Sequence, residues 1–178
     1  MAKLIAIDSM FFAWGVKQKA NPGDEHFIKR TKNLFDTLDK EDYDIIIPAP
    51  VIAEGLSDVP LEEHAAILSR IASNMQVYPF DALVAYKFAE MMHNYIGNKD
   101  YEWQRDYAKD NNVRKQKMKF DFMISAIAVA NKSEAIYSED SDVHAFAKPY
   151  IEVRKLPNII IPTTTLLPKQ MGLFGLEL

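Results

Sequence analysis

Acidic residues recur at the points where the predicted secondary structure changes. Asp8 follows the apolar run LIAI, and Asp140 and Asp142 follow the short run AIYS. Glu54 lies in the segment PAPVIAEGL, and Asp121 opens the apolar stretch FDFMISAIAVA. If the runs before Asp8 and Asp140 are parallel strands, both carboxylates lie at the sheet edge where open α/β folds place their sites. Clustered carboxylates repel one another unless a cation neutralises them, so the pattern indicates a site for Mg²⁺ or Mn²⁺.

Each acid also has a purely structural interpretation when it is taken alone. Asp8 could cap the element after the first strand, and Asp140 and Asp142 could stabilise a turn by accepting backbone N–H hydrogen bonds. Glu54 and Asp121 could each favour a helix N-terminus through the helix dipole. The joint placement favours the metal site, because Asp121 stands between two phenylalanines at the head of a nearly all-apolar helix. A buried carboxylate in such a position needs a partner or a cation.

The composition is that of one folded domain and excludes several classes of function. The chain has 178 residues, of which 48% are hydrophobic, enough to bury a core of its own. It has no Cys, which excludes disulfides, Cys-ligated zinc and a Cys nucleophile. We find no signal segment and no bilayer-length apolar run, so we expect a cytoplasmic protein with no membrane partner. The net charge of −4 means that a nucleic-acid partner would need a local basic patch or a metal.

The apolar pattern predicts helices that alternate with strands. We expect strands at 3–7, 44–47, 76–78 and 134–138, helices at 24–39, 50–56 and 121–131, and helices that begin at Pro60 and Asp81. A last strand lies at 151–153 or at 159–161. This alternation implies a three-layer α/β/α fold with a central, mostly parallel sheet covered on both faces.

The acidic segments together resemble the PIN-domain nucleases. That family has an Asp that ends the first strand, usually followed by Ser or Thr and then Asn. Here IAIDSM supplies Asp8 and Ser9, whereas Met10 replaces the Asn. The second family motif is an apolar strand, a Pro and then a Glu in the following helix, which IIIPAPVIAEGL matches with Glu54.

Two further motifs of the PIN family follow in the expected order. An Asp that opens an Ala-rich helix is matched by Asp121 in KFDFMISAIAVA. A Thr-x-Asp-x-Asp-Phe pattern after a strand is matched by YSEDSDV, which supplies Ser138, Asp140 and Asp142. Val143 stands in place of the Phe. Any one of these motifs is weak, but four in order are fairly specific.

The resemblance implies how the chain is organised. It predicts a Rossmann-like PIN domain over 1–155, with a polar insertion near 96–118. A C-terminal strand and arm over 156–178 would pack on the same domain. Many small PIN proteins are the toxin half of a toxin–antitoxin pair, so the resemblance implies a protein antitoxin and a homodimer as partners, although this chain is somewhat long for a toxin.

The activity that the resemblance implies is that of a metal-dependent nuclease, most often one that hydrolyses RNA. Mg²⁺ or Mn²⁺ would be held by Asp8, Asp121 and Asp140, where it polarises a phosphate oxygen and activates water. Asp142 would contribute to a second metal or only to a turn. Glu54, the fourth catalytic residue, would either hold groups in the outer shell of the metal or act on the activated water. The hydroxyls of Ser9 and Ser138 would lie beside the substrate.

A run of basic residues precedes Asp121 in the sequence. It comprises Arg114, Lys115, Lys117 and Lys119. Such a run is most often a solvated helix end. We expect it to contact the phosphate backbone of RNA, because a protein of negative net charge needs a local cation to hold nucleic acid.

Three other functions are weighed against this one. A phosphatase of the haloacid-dehalogenase type needs a second Asp where Met10 stands. A phospho-accepting receiver domain needs an Asp at the end of the third strand, but here Asp81 comes after Pro79 and Phe80 and is better explained as a helix cap. A catalytically silent PIN-like module that binds RNA or protein is disfavoured by intact acids at all four motif positions.

Overall fold

The three central strands form from short apolar runs that contain isoleucine, as burial on both faces of a sheet requires, whereas the edge strands QVY and EVR are more exposed. In the computed structural model, which describes residues 3–158, five strands form one parallel sheet in the order β3-β2-β1-β4-β5. The strands are β1 (Lys3–Ile7), β2 (Tyr43–Pro48), β3 (Gln76–Tyr78), β4 (Ala135–Tyr137) and β5 (Glu152–Arg154). The three-layer parallel architecture predicted from the sequence is therefore confirmed.

Helices connect consecutive strands and cover the sheet. They are α1 (Ser9–Phe11), α2 (Glu25–Lys40), α3 (Ala49–Leu56), α4 (Leu61–Asn74), α5 (Ala82–Gly97), α6 (Glu102–Asp110), α7 (Lys115–Ala130) and α8 (Ser141–Ala147). Helix α1 continues into a π-helical turn over Phe12–Lys17, and a 3₁₀ turn over Lys99–Tyr101 precedes α6. None of the helices within residues 3–158 is both long and apolar enough to cross a membrane.

The alternation of side chains along β1 divides the core into two halves. Ile5 and Ile7 are fully buried in the half that contains α2, α4 and the π-helical turn. Ala6 points to the opposite half, where it packs with residues of α7 and α8. The order of the strands also reverses at β1, which pairs with β2 on one side and β4 on the other. The carboxyl ends of β1 and β4 therefore border the crevice where folds of this kind bind ligands.

Two glycines allow the turn after β1 to pack closely. A side chain at Gly15 would collide with the ring of Phe35 on α2. A side chain at Gly55 on α3 would collide with the ring of Phe12, which is fully buried. The contact between Gly55 and Phe12 brings the neighbouring Glu54 close to the end of β1.

The predicted elements and the observed ones differ at four places, one of which is α8, a helix that was not predicted from the sequence. The helix expected over 121–131 begins at Lys115, because the segment KQKMK consists of strong helix formers and Met118 is buried against the domain. The π-helical turn was not predicted. The polar insertion near 96–118 is largely helical and packs on the domain through Gln104, whose Nε2 donates to the carbonyl of Ala145 at 2.8 Å.

The C-terminal part of the prediction is only partly covered by the structure. The last strand, β5, spans Glu152–Arg154 and thus overlaps the first of the two expected positions. The alternative strand at 159–161 and the arm lie outside the described residues. Leu156, at the expected boundary between the domain and the arm, is buried in the core.

The close contact at Gly55 generates a stability prediction. We expect Gly55→Ala to lower the free energy of unfolding by about 1–3 kcal/mol, because the added methyl group meets the fully buried ring of Phe12. Chemical denaturation measures the change. Gly97→Ala is the matched control, since a methyl group at this helical glycine meets no atom within 4 Å. Equal denaturation midpoints for the two variants would refute the proposed packing.

Candidate metal centre

The four acids predicted to be catalytic line one cavity. Its volume is about 420 Å³, and it lies where β1 and β4 end. Asp8 directly follows β1 and Asp140 precedes α8, while Glu54 and Asp121 reach the cavity from α3 and α7. The remaining lining residues are Ser9, Met10, Gln116, Lys117, Phe120, Ile124 and Val143. The fold thus brings together side chains that are far apart in the sequence.

Asp8 is held rigidly at the head of the cavity. Its Oδ1 accepts hydrogen bonds from the backbone N–H groups of Met10 at 2.9 Å and Phe11 at 3.0 Å. Its Oδ2 accepts a hydrogen bond from the hydroxyl of Ser138, which follows β4. The side chain therefore caps α1, as its structural interpretation expects, and also faces the cavity. Burial raises the pKa of Asp8 to about 6, although these hydrogen bonds favour the ionised form.

Asp121 is a buried acid with one carboxylate oxygen that is not hydrogen-bonded within the described part of the chain. It lies inside α7, well after the helix start at Lys115, so the helix dipole at the N-terminus does not explain it. The residue is only 4% exposed, and its Oδ2 has no hydrogen-bond partner among the described residues. Burial, reinforced by the negative charges of Asp140 and Asp142, raises the pKa of Asp121 to about 8. A buried carboxylate oxygen without a partner is suited to a cation.

Glu54 lines the cavity from α3, which is a shorter helix than α7. Pro50 stands in the first turn of α3, as predicted, and Glu54 follows one turn later. The hydroxyl of Ser9 donates a hydrogen bond to Oε2 of Glu54. Glu54 is exposed, in contrast to Asp8 and Asp121, so solvent reaches its second carboxylate oxygen.

Asp140 and Asp142 are joined by a lysine. Asp140 caps α8 by accepting from the N–H of Asp142 at 2.8 Å, while its own N–H donates to the hydroxyl of Ser138 at 3.0 Å. The ammonium of Lys117 lies 2.8 Å from Oδ2 of Asp140 and also contacts Oδ2 of Asp142. The hydroxyl of Tyr107 donates to the other oxygen of Asp142 at 2.9 Å. The structural interpretation of these two acids, a stabilised turn, thus holds alongside their place at the site.

Asp140 and Asp142 favour the protonated, positively charged form of Lys117. Burial disfavours its charge, but hydrogen bonds to Asp140 and Asp142 outweigh that effect and hold the pKa of Lys117 above its usual range. Within residues 3–158, no group of three or more His, Asp or Glu side chains is arranged to hold a metal ion. The ammonium of Lys117 neutralises Asp140, which lines the cavity, and Asp142, which is not among the residues that line it. Within the same range, Oδ2 of Asp121 has no hydrogen-bond partner.

The other predicted substrate-binding residues divide into two groups. Ser9 and Ser138 donate their hydroxyls to acids of the cavity and hold those acids in place. Arg114, Lys115 and Lys119 are exposed at the start of α7 and form no salt bridge within the described part of the chain. They are free to contact a ligand.

Two features of the site were not predicted from the sequence. The role of Tyr107 as a donor to Asp142 has no signal in the sequence, because the two are separated by 35 positions. The contact of Lys117 with Asp140 and Asp142, in contrast, has a signal in the sequence. Lys117 and Asp121 are four residues apart, a spacing that puts both on one face of a helix. Recognising it required a helix that begins before Asp121.

Comparison with known proteins gives similarity in structure alone. No protein-family model matches the sequence, and no curated protein matches it. One similar structure is that of VapBC2 from Rickettsia felis bound to a DNA fragment from the VapBC2 promoter. The TM-score is 0.56 and the sequence identity 15%, and the alignment covers 86% of this chain and 99% of that chain. DNA-bound VapBC from Salmonella typhimurium gives a TM-score of 0.52 and 14% identity, over 88% and 100%. These similarities show that the chain has the predicted PIN-like fold.

The buried acids predict how stability depends on pH. A carboxyl group whose pKa is raised by folding stabilises the native state at low pH, and this stabilisation is lost as pH rises through the folded-state pKa. We therefore expect the metal-free protein to lose stability between pH 6 and pH 9, as Asp121 with its pKa of about 8 ionises. Asp121→Asn should remove about 1–3 kcal/mol of this loss, since one pKa unit corresponds to about 1.4 kcal/mol.

Denaturation curves at pH 6 and pH 9 in the presence of a chelator measure this effect. Asp110→Asn serves as the control, because Asp110 is exposed at the end of α6. We expect the control to follow the wild-type pH dependence. The assignment of the pH dependence to Asp121 would be wrong if Asp121→Asn lost as much stability as the control.

Proposed function

We propose that this protein is a cytoplasmic endoribonuclease that depends on Mg²⁺ or Mn²⁺ and hydrolyses phosphodiester bonds in RNA. The observation that carries the proposal is the buried Oδ2 atom of Asp121, which has no hydrogen-bond partner within residues 3–158. Asp121 lines one cavity together with Asp8, Glu54 and Asp140. Such an arrangement at the switch point of a PIN-like parallel sheet is what a cation-dependent site requires.

The side chains present have the chemistry that a hard divalent cation requires, although within residues 3–158 no three of them converge on one point. Asp8, Asp121 and Asp140 offer carboxylate oxygens, the ligands that Mg²⁺ and Mn²⁺ prefer, and Asp142 adds negative charge beside them. When bound, the cation polarises a phosphate oxygen and lowers the pKa of a bound water. Burial of Asp8 and Asp121 weakens the competition from bulk water for their oxygens, and it makes the uncompensated charges costly without a cation.

The hydrogen bonds of the site orient these groups before substrate arrives. Asp8 is held through both oxygens, so its orientation does not depend on the ligand. Ser9 donates a hydrogen bond to one oxygen of Glu54, and this exposed carboxylate would accept a proton from the water that attacks phosphorus. Water attack breaks the bond between phosphorus and the 3′ oxygen, and this leaves a 5′-phosphate on one product and a 3′-hydroxyl on the other.

RNA would be held by the basic start of α7. Three exposed basic residues precede Asp121 in the sequence. Lys115 and Lys119 belong to α7, and Arg114 stands directly before that helix. The net charge of the chain is −4, so these local cations are needed to attract a polyanion. Contacts of this kind position the backbone of the nucleic acid and do not select its sequence.

We extend the proposal to the partners of the protein. Two solved structures that are similar to this chain are of VapBC complexes bound to DNA. We propose that this chain is the toxin of a toxin–antitoxin pair, that it binds an antitoxin protein and that it forms a homodimer.

The nuclease proposal is tested with labelled RNA in the presence of Mn²⁺. We expect wild type to cleave and Asp8→Asn to lose at least about 100-fold in rate, since an uncharged amide cannot replace a carboxylate at the cation. Asp110→Asn, at an exposed position outside the cavity, should cleave like wild type. Equal cleavage by wild type and Asp8→Asn would mean a contaminating nuclease. Equal RNA binding without cleavage by either protein would instead favour the silent binding module.

The basic start of α7 generates a second binding prediction. We expect the double variant Lys115→Ala and Lys119→Ala to bind RNA more weakly and with a shallower salt dependence. Each lost phosphate contact lowers the slope of log K against log salt by roughly 0.7 for a single strand. Fluorescence anisotropy over a range of salt concentrations measures both quantities. Lys40→Ala provides a control at the C-terminus of α2, where the lysine is also exposed. A double variant with an unchanged salt slope would rule out phosphate contacts by these lysines.

A further inference from the structure

Lys117 differs from every other basic residue near the site. Its side chain is 44% exposed, yet its ammonium bonds to Asp140 and contacts Asp142 at the same time. Arg114, Lys115 and Lys119 form no such pair within the described residues. Lys117 therefore belongs to the acidic cavity, and its position needs an explanation of its own.

The hydrogen bonds divide the acids of the site into two sets. Both oxygens of Asp142 are engaged, one by Tyr107 and the other by Lys117. Both oxygens of Asp140 are also engaged, one by the N–H of Asp142 and the other by Lys117. Within residues 3–158, Oδ2 of Asp121 has no hydrogen-bond partner, and both oxygens of Asp8 accept hydrogen bonds from uncharged donors alone. Asp140 and Asp142 therefore have a cationic partner in Lys117, whereas Asp8 and Asp121 have no salt bridge within the same residues.

The helix fixes Lys117 in this place. Lys117 and Asp121 are four residues apart in α7, so they lie on the same face of the helix. Met118 and Phe122, their successors in the sequence, are buried in the core and prevent α7 from rotating. An ammonium group has three N–H donors, of which two reach Asp140 and Asp142. The third is left for a phosphate oxygen of a ligand in the cavity.

We propose that Lys117 is a built-in cation of this centre and occupies the position that a second metal ion would take. Asp8 and Asp121 would then hold one divalent ion, and Lys117 supplies the positive charge beside Asp140 and Asp142. A second divalent ion is excluded, because it would meet a fixed positive charge at a distance of a few ångströms. This inference rests on the proposed metal-dependent function and defines how many ions that function uses.

The test counts Mn²⁺ ions bound to the protein in the absence of RNA. Isothermal titration gives the stoichiometry and affinity, and electron paramagnetic resonance detects coupling between two neighbouring Mn²⁺ ions. We expect wild type to bind one ion. Lys117→Gln should bind a second ion at least roughly tenfold more tightly than wild type does, because the repelling charge is gone and two carboxylates are released.

Two variants serve as controls for this count. Lys117→Arg keeps the positive charge and should bind one ion, which separates the charge of the side chain from its shape. Lys109→Gln removes an exposed charge from α6, outside the proposed binding residues, and should also bind one ion. The melting temperature of each metal-free variant establishes that it is folded before the titration.

The outcomes separate this inference from the proposed function. Two ions on wild type, or one ion of unchanged affinity on Lys117→Gln, would overturn the role of Lys117. No ion on either wild type or Lys117→Gln would overturn the metal-dependent function and the inference together. One ion on wild type and two on Lys117→Gln, in a protein that cleaves no RNA, would support the inference and contradict the nuclease activity alone.

Discussion

The structure depends on the electrostatic cost of gathering five carboxylates at one edge of a parallel sheet. Asp8 and Asp121 are buried there, and among the described residues that line the cavity Lys117 is the only basic one. Charges that repel in a medium of low dielectric constant must be neutralised, hydrogen-bonded or protonated. The protein uses all three means, since Lys117 neutralises two acids, backbone and hydroxyl donors hold Asp8, and the raised pKa of Asp121 favours its protonated form.

Helix α7 joins the chemistry of the site to the stability of the fold. Its apolar residues, such as Phe122 and Ile127, are fully buried in the core. The face that carries Lys117 and Asp121 lines the cavity. A helix packed in this way cannot move without disturbing the hydrophobic core, so the spacing between its ammonium and its carboxylate is set by the backbone. The rest of the cavity is built on the ends of strands and on short helices around this fixed pair.

Periodicity and short motifs predict much of this molecule. Short apolar runs that contain isoleucine identified the three central strands, and the acids after those runs were correctly expected to share one edge, because parallel strands end together. The start of α7 was missed, since the change from basic to apolar residues at Asp121 was taken for a helix boundary. The bond between Tyr107 and Asp142 was inaccessible to such reasoning, because it joins two helices whose relative position depends on tertiary packing. Motifs in a sequence identify groups, whereas packing decides which groups meet.

The hydrogen bond between Asp8 and Ser138 sets a condition on when the candidate site can form. It joins residues 130 positions apart, and it depends on the pairing of β1 with β4. Pairing of this kind closes a very long loop, which makes it a late event in folding. During synthesis Asp8 leaves the ribosome long before Ser138 has been added to the chain. The messenger RNA that encodes the protein is therefore translated beyond β4 before the candidate site exists.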